Sequence, residues 1–126
     1  MAFHYSPKII TDGLVFYVDA ANPKSFVDGN TTWNDLSRSG NDGTLTNGPT
    51  YDSGNGGNIV FDGLDDYAIV SQSDDFKFGT GDFCYDVWFS CDNITNSNGG
   101  YFDRLLFMGN TVFINSFSIN ANTGGY

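Results

Sequence analysis

The chain has 126 residues, with 15 acidic against 5 basic side chains and a formal charge of −10, a length that fits one domain. At 40% hydrophobic and 17% aromatic with 16% charged residues, it is too apolar and too poor in charge for a disordered acidic tail. Its cations, Lys8, Lys24, Arg38, Lys77 and Arg104, are scattered, so no basic cluster offsets repulsion from a phosphate backbone, which argues against nucleic-acid binding.

Every acid is Asp, and the chain holds no Glu, one Gln (Gln72) and one histidine (His4). Good helix formers are scarce. Gly, Asn, Thr and aromatic residues dominate instead, a mixture that favours strands joined by tight turns. No apolar run reaches the roughly 18 residues that would span a membrane as a helix.

Residues 1–10 read as an N-terminal arm, and Met1 to Lys8 lacks the charged and then apolar blocks of a secretory leader. Residues 11–126 read as one β domain. Turn signals at Asp12-Gly13, Asp28-Gly29, Asp42-Gly43, Asn47-Gly48, Asn55-Gly56, Asp62-Gly63 and Asn98-Gly99 separate short apolar runs. The predicted strands are 14–19, 43–46, 58–61, 66–71, 82–91, 102–108 and 112–119, a pattern that suggests a sandwich.

The sharpest alternation starts at Phe83, where Phe83, Tyr85, Val87, Phe89 and Cys91 share one face and Cys84, Asp86, Trp88 and Ser90 the other. The first set reads as a core face, with Trp88 on a partly covered opposite side. Along such a strand the two cysteines would stand about 23 Å apart at ~3.3 Å per residue, far beyond the ~7 Å limit for a disulfide. They are expected as free thiols, buried as small core residues. After the last predicted strand comes Asn120-Ala-Asn-Thr-Gly-Gly-Tyr126, a turn signal with no partner strand following, which reads as the leading part of a longer domain.

Candidate chemistry is confined to aspartates and aromatics. In Asp35-Leu-Ser37-Arg-Ser39-Gly40-Asn41-Asp42-Gly43, Asp35, Ser37 and Ser39 place side-chain oxygens at positions 1, 3 and 5 with Gly40 at position 6, a spacing like the front half of a calcium loop in which the glycine permits the sharp reversal. Position 12 would be Thr46, so the bidentate acid of an EF-hand is missing. Asp62, Asp65 and Asp66 crowd a hairpin-like turn, a repulsion that either calcium or solvent relieves. Asp74-Asp75 carries the same two readings. For both loops a solvated polar turn stands beside the metal site.

Catalysis has less support. His4 has no second histidine to assist it, no Asp pair is set apart for glycoside hydrolysis, and Ser53-Gly-Asn-Gly-Gly57 lacks the lysine of a phosphate loop.

Taken in order, Thr11-Asp-Gly-Leu-Val-Phe-Tyr-Val-Asp-Ala20, Trp33-Asn-Asp-Leu-Ser37, Gly40-Asn-Asp-Gly-Thr-Leu45 and Ile59-Val-Phe-Asp-Gly-Leu-Asp-Asp-Tyr67 resemble the laminin-G-like branch of the concanavalin A-like lectin/glucanase superfamily. The resemblance covers roughly residues 9–91. The opening Ser6-Pro-Lys-Ile-Ile-Thr-Asp-Gly-Leu14 is similar to the version found in virion proteins of tailed phages. The resemblance implies an all-β fold, an antiparallel jelly-roll sandwich of two sheets that is incomplete within this chain, with a structural calcium and glycan-binding loops. Two departures matter. Arg38-Ser39 stands where the family has Gly-Asn, which puts calcium at that loop in question, and the Glu-based catalytic strand of the family's enzymes has no counterpart in a chain without Glu.

The expectation is therefore a non-enzymatic bacteriophage structural protein with a lectin-like module, as capsid decoration or a tail-fibre and adhesion component. It would be assembled in the host cytoplasm and carried in the virion. Its partners would be other virion proteins or copies of itself, and a host surface glycan. The expected metal residues are Asp35, Ser37, Asp42, Asp62, Asp65 and Asp66, for calcium, and the expected glycan platforms are Trp33, Trp88 and Tyr101. The alternative is a carbohydrate-binding module of a larger secreted enzyme or adhesin.

Overall fold

The computed structural model describes residues 9–90 together with the backbones of two later strands, 106–108 and 112–115. In chain order the strands are β1 (Thr32–Trp33), β2 (Gly43–Thr46), β3 (Thr50–Asp52), β4 (Asn58–Val60), β5 (Tyr67–Val70), β6 (Leu106–Met108) and β7 (Val112–Asn115), with single 3₁₀ turns at Gly54–Gly56 and Asp74–Phe76. No α-helix occurs among the described residues, so the protein is all-β there. Two antiparallel sheets form, one of five strands in the order β1-β2-β5-β7-β6 and one of two, β3-β4.

The centre of the larger sheet follows directly from alternation. On β2 and β5, Leu45 lies opposite Ala68 and Gly43 opposite Val70, and Leu45, Ala68 and Val70 are all buried while Thr44 is exposed. Phe26, from the loop before β1, joins Leu45 and Ala68, and Trp33, Tyr51, Ile59 and Phe61 pack against that group. Tyr51 and Ile59 are register partners in the smaller sheet, so the two sheets meet through this cluster. The Phe26 and Tyr51 rings lie 5.7 Å apart at a tilted angle. Burying each such side chain contributes about 1.5–3 kcal/mol.

Glycine has a specific task at one corner. Gly57, which closes the turn between β3 and β4, has φ +122°, and a Cβ there would meet Tyr51 Oη at 2.5 Å and Ala21 Cα at 3.0 Å. Only a residue without a side chain lets the turn lie this close to the segment 20–21.

Two predicted strands are not strands. Residues 14–19 run half-buried, but side chains and a loop satisfy much of their backbone. Val15 O accepts from Asn41 Nδ2 at 2.8 Å, Tyr17 N donates to Asp35 Oδ1 at 2.8 Å, and Asp19 N donates to Ser25 Oγ at 3.0 Å. Tyr17 O takes the Leu36 amide at 2.7 Å. Residues 82–90 carry the best alternation in the chain, yet no strand lies beside them among the described residues, and the expected core face is solvent-facing. Phe83, Tyr85, Val87 and Phe89 are 59%, 62%, 40% and 51% exposed. Cys84 is an exposed thiol, not a core residue, and Cys91 lies outside the described residues. Conversely, β1 and β3 were hidden, being two and three residues long and embedded in Asn, Pro and Asp turn signals.

Candidate functional site

The loop from Asp35 to Asp42 follows β1 and feeds β2. Its organiser is the Asp35 carboxylate. Oδ1 accepts the amides of Tyr17 at 2.8 Å and Ser37 at 2.9 Å, while Oδ2 accepts the Ser37 hydroxyl at 2.6 Å and the Asn41 amide at 2.9 Å. Partial burial pushes the Asp35 pKa up, but the hydrogen bonds from Ser37, Tyr17 and Asn41 outweigh it and leave the group below the ordinary carboxylate value. Asp42 Oδ1 caps the arrangement by accepting the Asp35 amide at 2.8 Å. Asp35, Ser37 and Asp42 are thus brought together, with both Asp35 oxygens already facing two donors each. Hydrogens aimed at an oxygen are the reverse of what a cation needs, so this carboxylate acts as a brace across residues 17, 37 and 41.

A second aspartate extends that brace. Asn41 Nδ2 also donates to Asp75 Oδ2 at 3.0 Å, and Ser73 Oγ donates to the same oxygen at 3.2 Å. Hydrogen bonds from Asn41, then Ser39, then Ser73 hold the Asp75 pKa down, against slight burial and the nearby Asp35 charge. Phe76 meets Phe16 edge-on at 6.1 Å, so the 73–76 turn is fastened by one polar and one aromatic contact. Tyr17 Oη donates to Asp19 Oδ2 at 3.2 Å, and its pKa is raised first by burial and then by that carboxylate.

The turn between β4 and β5 is built differently. Asp62 Oδ1 accepts the amides of Leu64, Asp65 and Asp66 at 2.8, 3.3 and 3.4 Å, an Asx-type turn made feasible by Gly63 at φ +75°. The Leu64 amide is the main cause of a lowered Asp62 pKa, with the Asp65 and Asp66 amides adding to it against a small desolvation penalty. Asp66 is buried and its Oδ2 accepts the Asp62 amide at 3.0 Å. One ligand oxygen from each of Asp62, Asp65 and Asp66 falls within 4.8 Å of the others, a separation that a single hard cation can bridge. The Asp65 carboxylate accepts no hydrogen bond from a described residue, and Asn47 Nδ2 reaches Asp65 O at 2.7 Å to tie this turn to the one after β2. These three residues could hold a metal ion. Among the described residues the ion pair is Lys77 with Asp74, so no cation neutralises the group.

The aromatic candidates separate. Trp33 is half-buried against the Phe26, Leu45 and Ala68 cluster, and its Nε1 is buried with no hydrogen-bond partner among the described residues. Its ring is packing material. Trp88, expected to be partly covered, is 95% exposed. Tyr101 lies outside the described residues. Sequence reasoning missed Ser25, which is fully buried and whose Oγ donates to Asn34 O at 2.7 Å while accepting the Asp19 amide. The Asn22-Pro23-Lys24 turn signal just before it, with Asn22 Oδ1 accepting the Lys24 amide at 3.0 Å, was the available hint.

The chain matches no family model, no curated protein and no solved structure. Function therefore rests on the residues themselves.

Proposed function

We propose that the chain is a non-enzymatic structural component of a tailed-phage virion, a lectin-like module whose work is contact. The observation that carries this reading is the ribbon 83–89. It sets Phe83, Tyr85, Val87, Trp88 and Phe89 in solvent at 40–95% exposure. Exposed apolar side chains concentrated in one short ribbon form the kind of surface that is often an interaction site. An assembly with other virion proteins or with copies of itself would cover it. The ordered motifs between Thr11 and Tyr67 support the laminin-G-like, jelly-roll identity of the module, and a chain without Glu supports contact over hydrolysis. Mass spectrometry and imaging of purified virions test the proposal. The chain is expected at a fixed copy number per particle, and its absence from particles would end the reading.

A second reading is favoured by Trp88 alone. An indole this exposed is a ready stacking platform for a sugar ring, as a carbohydrate-binding module of a larger secreted enzyme or adhesin would need. Glycan-array binding that disappears in Trp88→Ala would support it, and an array blank for the intact protein would remove it.

For calcium, the residues that fit are Asp62, Asp65 and Asp66, which would supply oxygen ligands and gain relief from mutual repulsion; Asp35 does not fit. Calcium at a hundredfold excess over its Kd would stabilise the fold by about 2.7 kcal/mol. Thermal unfolding with calcium and with chelator measures this. The gain is expected to vanish in Asp65→Asn, and equal melting with calcium and chelator in the intact protein would refute the site.

A further inference from the structure

We propose that Asn55 is a site of spontaneous deamidation, and that the fold, not the local sequence, selects it over Asn47. Both asparagines precede glycine, both are exposed, and both sit at positive φ, +70° at Asn47 and +54° at Asn55. Glycine as the following residue leaves its amide nitrogen unobstructed by a side chain, so the local chemistry of the two sites is the same.

The difference is in the side-chain amides. Asn47 Nδ2 is held by Asp65 O at 2.7 Å, across to the turn after β4. To react, the Asn47 side chain must break that bond and swing its Cγ onto the Gly48 nitrogen. Asn55 has no side-chain hydrogen bond among the described residues. It stands at the tip of the single 3₁₀ turn Gly54–Gly56 between β3 and β4, with exposed neighbours on both sides, so bringing its Cγ onto the Gly56 nitrogen takes a rotation of the exposed turn away from ψ +24° but breaks no side-chain contact.

The reaction needs only the chain and water. The Gly56 backbone nitrogen attacks Asn55 Cγ, the N–Cγ bond forms, the Cγ–Nδ2 bond breaks, and the amide leaves as ammonia with the proton given up by Gly56. Water then opens the succinimide at either carbonyl, giving aspartate or isoaspartate at position 55. The product adds one negative charge to a chain already at −10. It places that charge in the turn where Asp52 Oδ1 accepts the Gly54 amide at 2.8 Å. The isoaspartyl form also lengthens the backbone of the β3–β4 turn.

The test is peptide mapping of the full chain aged in mildly alkaline buffer, once folded and once in concentrated urea, with the Asn47 and Asn55 peptides quantified by mass and by isoaspartate content. Folded protein is expected to convert Asn55 several-fold faster than Asn47, and the ratio is expected to approach one in urea. Asn47 reacting as fast as Asn55 in the folded protein would overturn the proposal, as would an Asn55 that stays intact, or a ratio unchanged by unfolding.

Discussion

Residues 43–70 and residues 82–90 contain the same kind of sequence and meet opposite fates. In the first region, short alternating runs find antiparallel neighbours, and Leu45 and Ala68 end up 6% and 0% exposed. In the second, a longer and cleaner alternation finds no pairing strand among the described residues; Phe83 stacks on Phe78 with ring centroids 4.8 Å apart, yet the apolar side chains stay 40–95% exposed. Alternation states which face a strand would bury; it does not supply the strand on the other side. Backbone hydrogen bonds and a facing layer come from elsewhere in the chain or from another molecule.

The contrast can be broken hardest at the core. Leu45→Ala is expected to lose about 2–5 kcal/mol, because the cavity opens beneath Phe26 and Ala68 where collapse is limited; urea denaturation with an unchanged m-value measures it. Gly57→Ala comes next, at about 1–3 kcal/mol, since the new Cβ must push Tyr51 Oη or the Ala20–Ala21 backbone aside. A wild-type melting temperature in that variant would show that the turn gives way easily.

Asp35→Asn sharpens the contrast between a braced loop and an open ribbon. The amide nitrogen that replaces one oxygen would face N–H or O–H donors, at a cost of about 1–3 kcal/mol. The pH dependence has a definite sign. The folded Asp35 pKa lies below its unfolded value, so the unfolded chain binds more protons as the solution is acidified. Its stabilisation is complete above the ordinary carboxylate value and is lost as pH falls through the lower, folded one. Chemical denaturation across that acid range should show a shallower decline in the variant than in the wild type, and parallel curves would remove Asp35 from the account.

The smallest effect is expected at Trp88. With 95% of the residue already in solvent, Trp88→Ala should change stability by no more than about 0.5 kcal/mol while weakening whatever contact the ribbon makes. A loss comparable to that of Leu45→Ala would mean that the indole is packed.

Much of the sheet was readable before any coordinates. Gly43–Thr46 appears with the expected bounds, and 58–61 and 66–71 differ from β4 and β5 by a residue at one end or at each end. The later predictions at 102–108 and 112–119 contain β6 and β7. In these segments β-branched and aromatic residues sit between turn signals that no helix tolerates, so local preference and pairing agree. Residues 14–19 fail because their hydrogen-bonding groups are claimed by Asp35, Ser25 and Asn41, side chains whose positions depend on loops far along the sequence. Asp62, Asp65 and Asp66 were legible as a group because they are neighbours in one turn. The link from Asn41 to Asp75 was not, since 34 residues separate the two.

Composition and spacing alone determined that this protein is all-β where described, where most of its described turns fall (Asp42-Gly43 instead opens β2), and that aspartates and aromatics are its chemical resources. Those properties follow from what each residue's own backbone and side chain prefer. Which aspartate braces a loop and which keeps an open oxygen, and which aromatic packs and which stands in solvent, was decided by tertiary structure. The reason is that a carboxylate or a ring takes its role from the donors, charges and apolar surfaces that folding brings to it, and those come from distant parts of the chain.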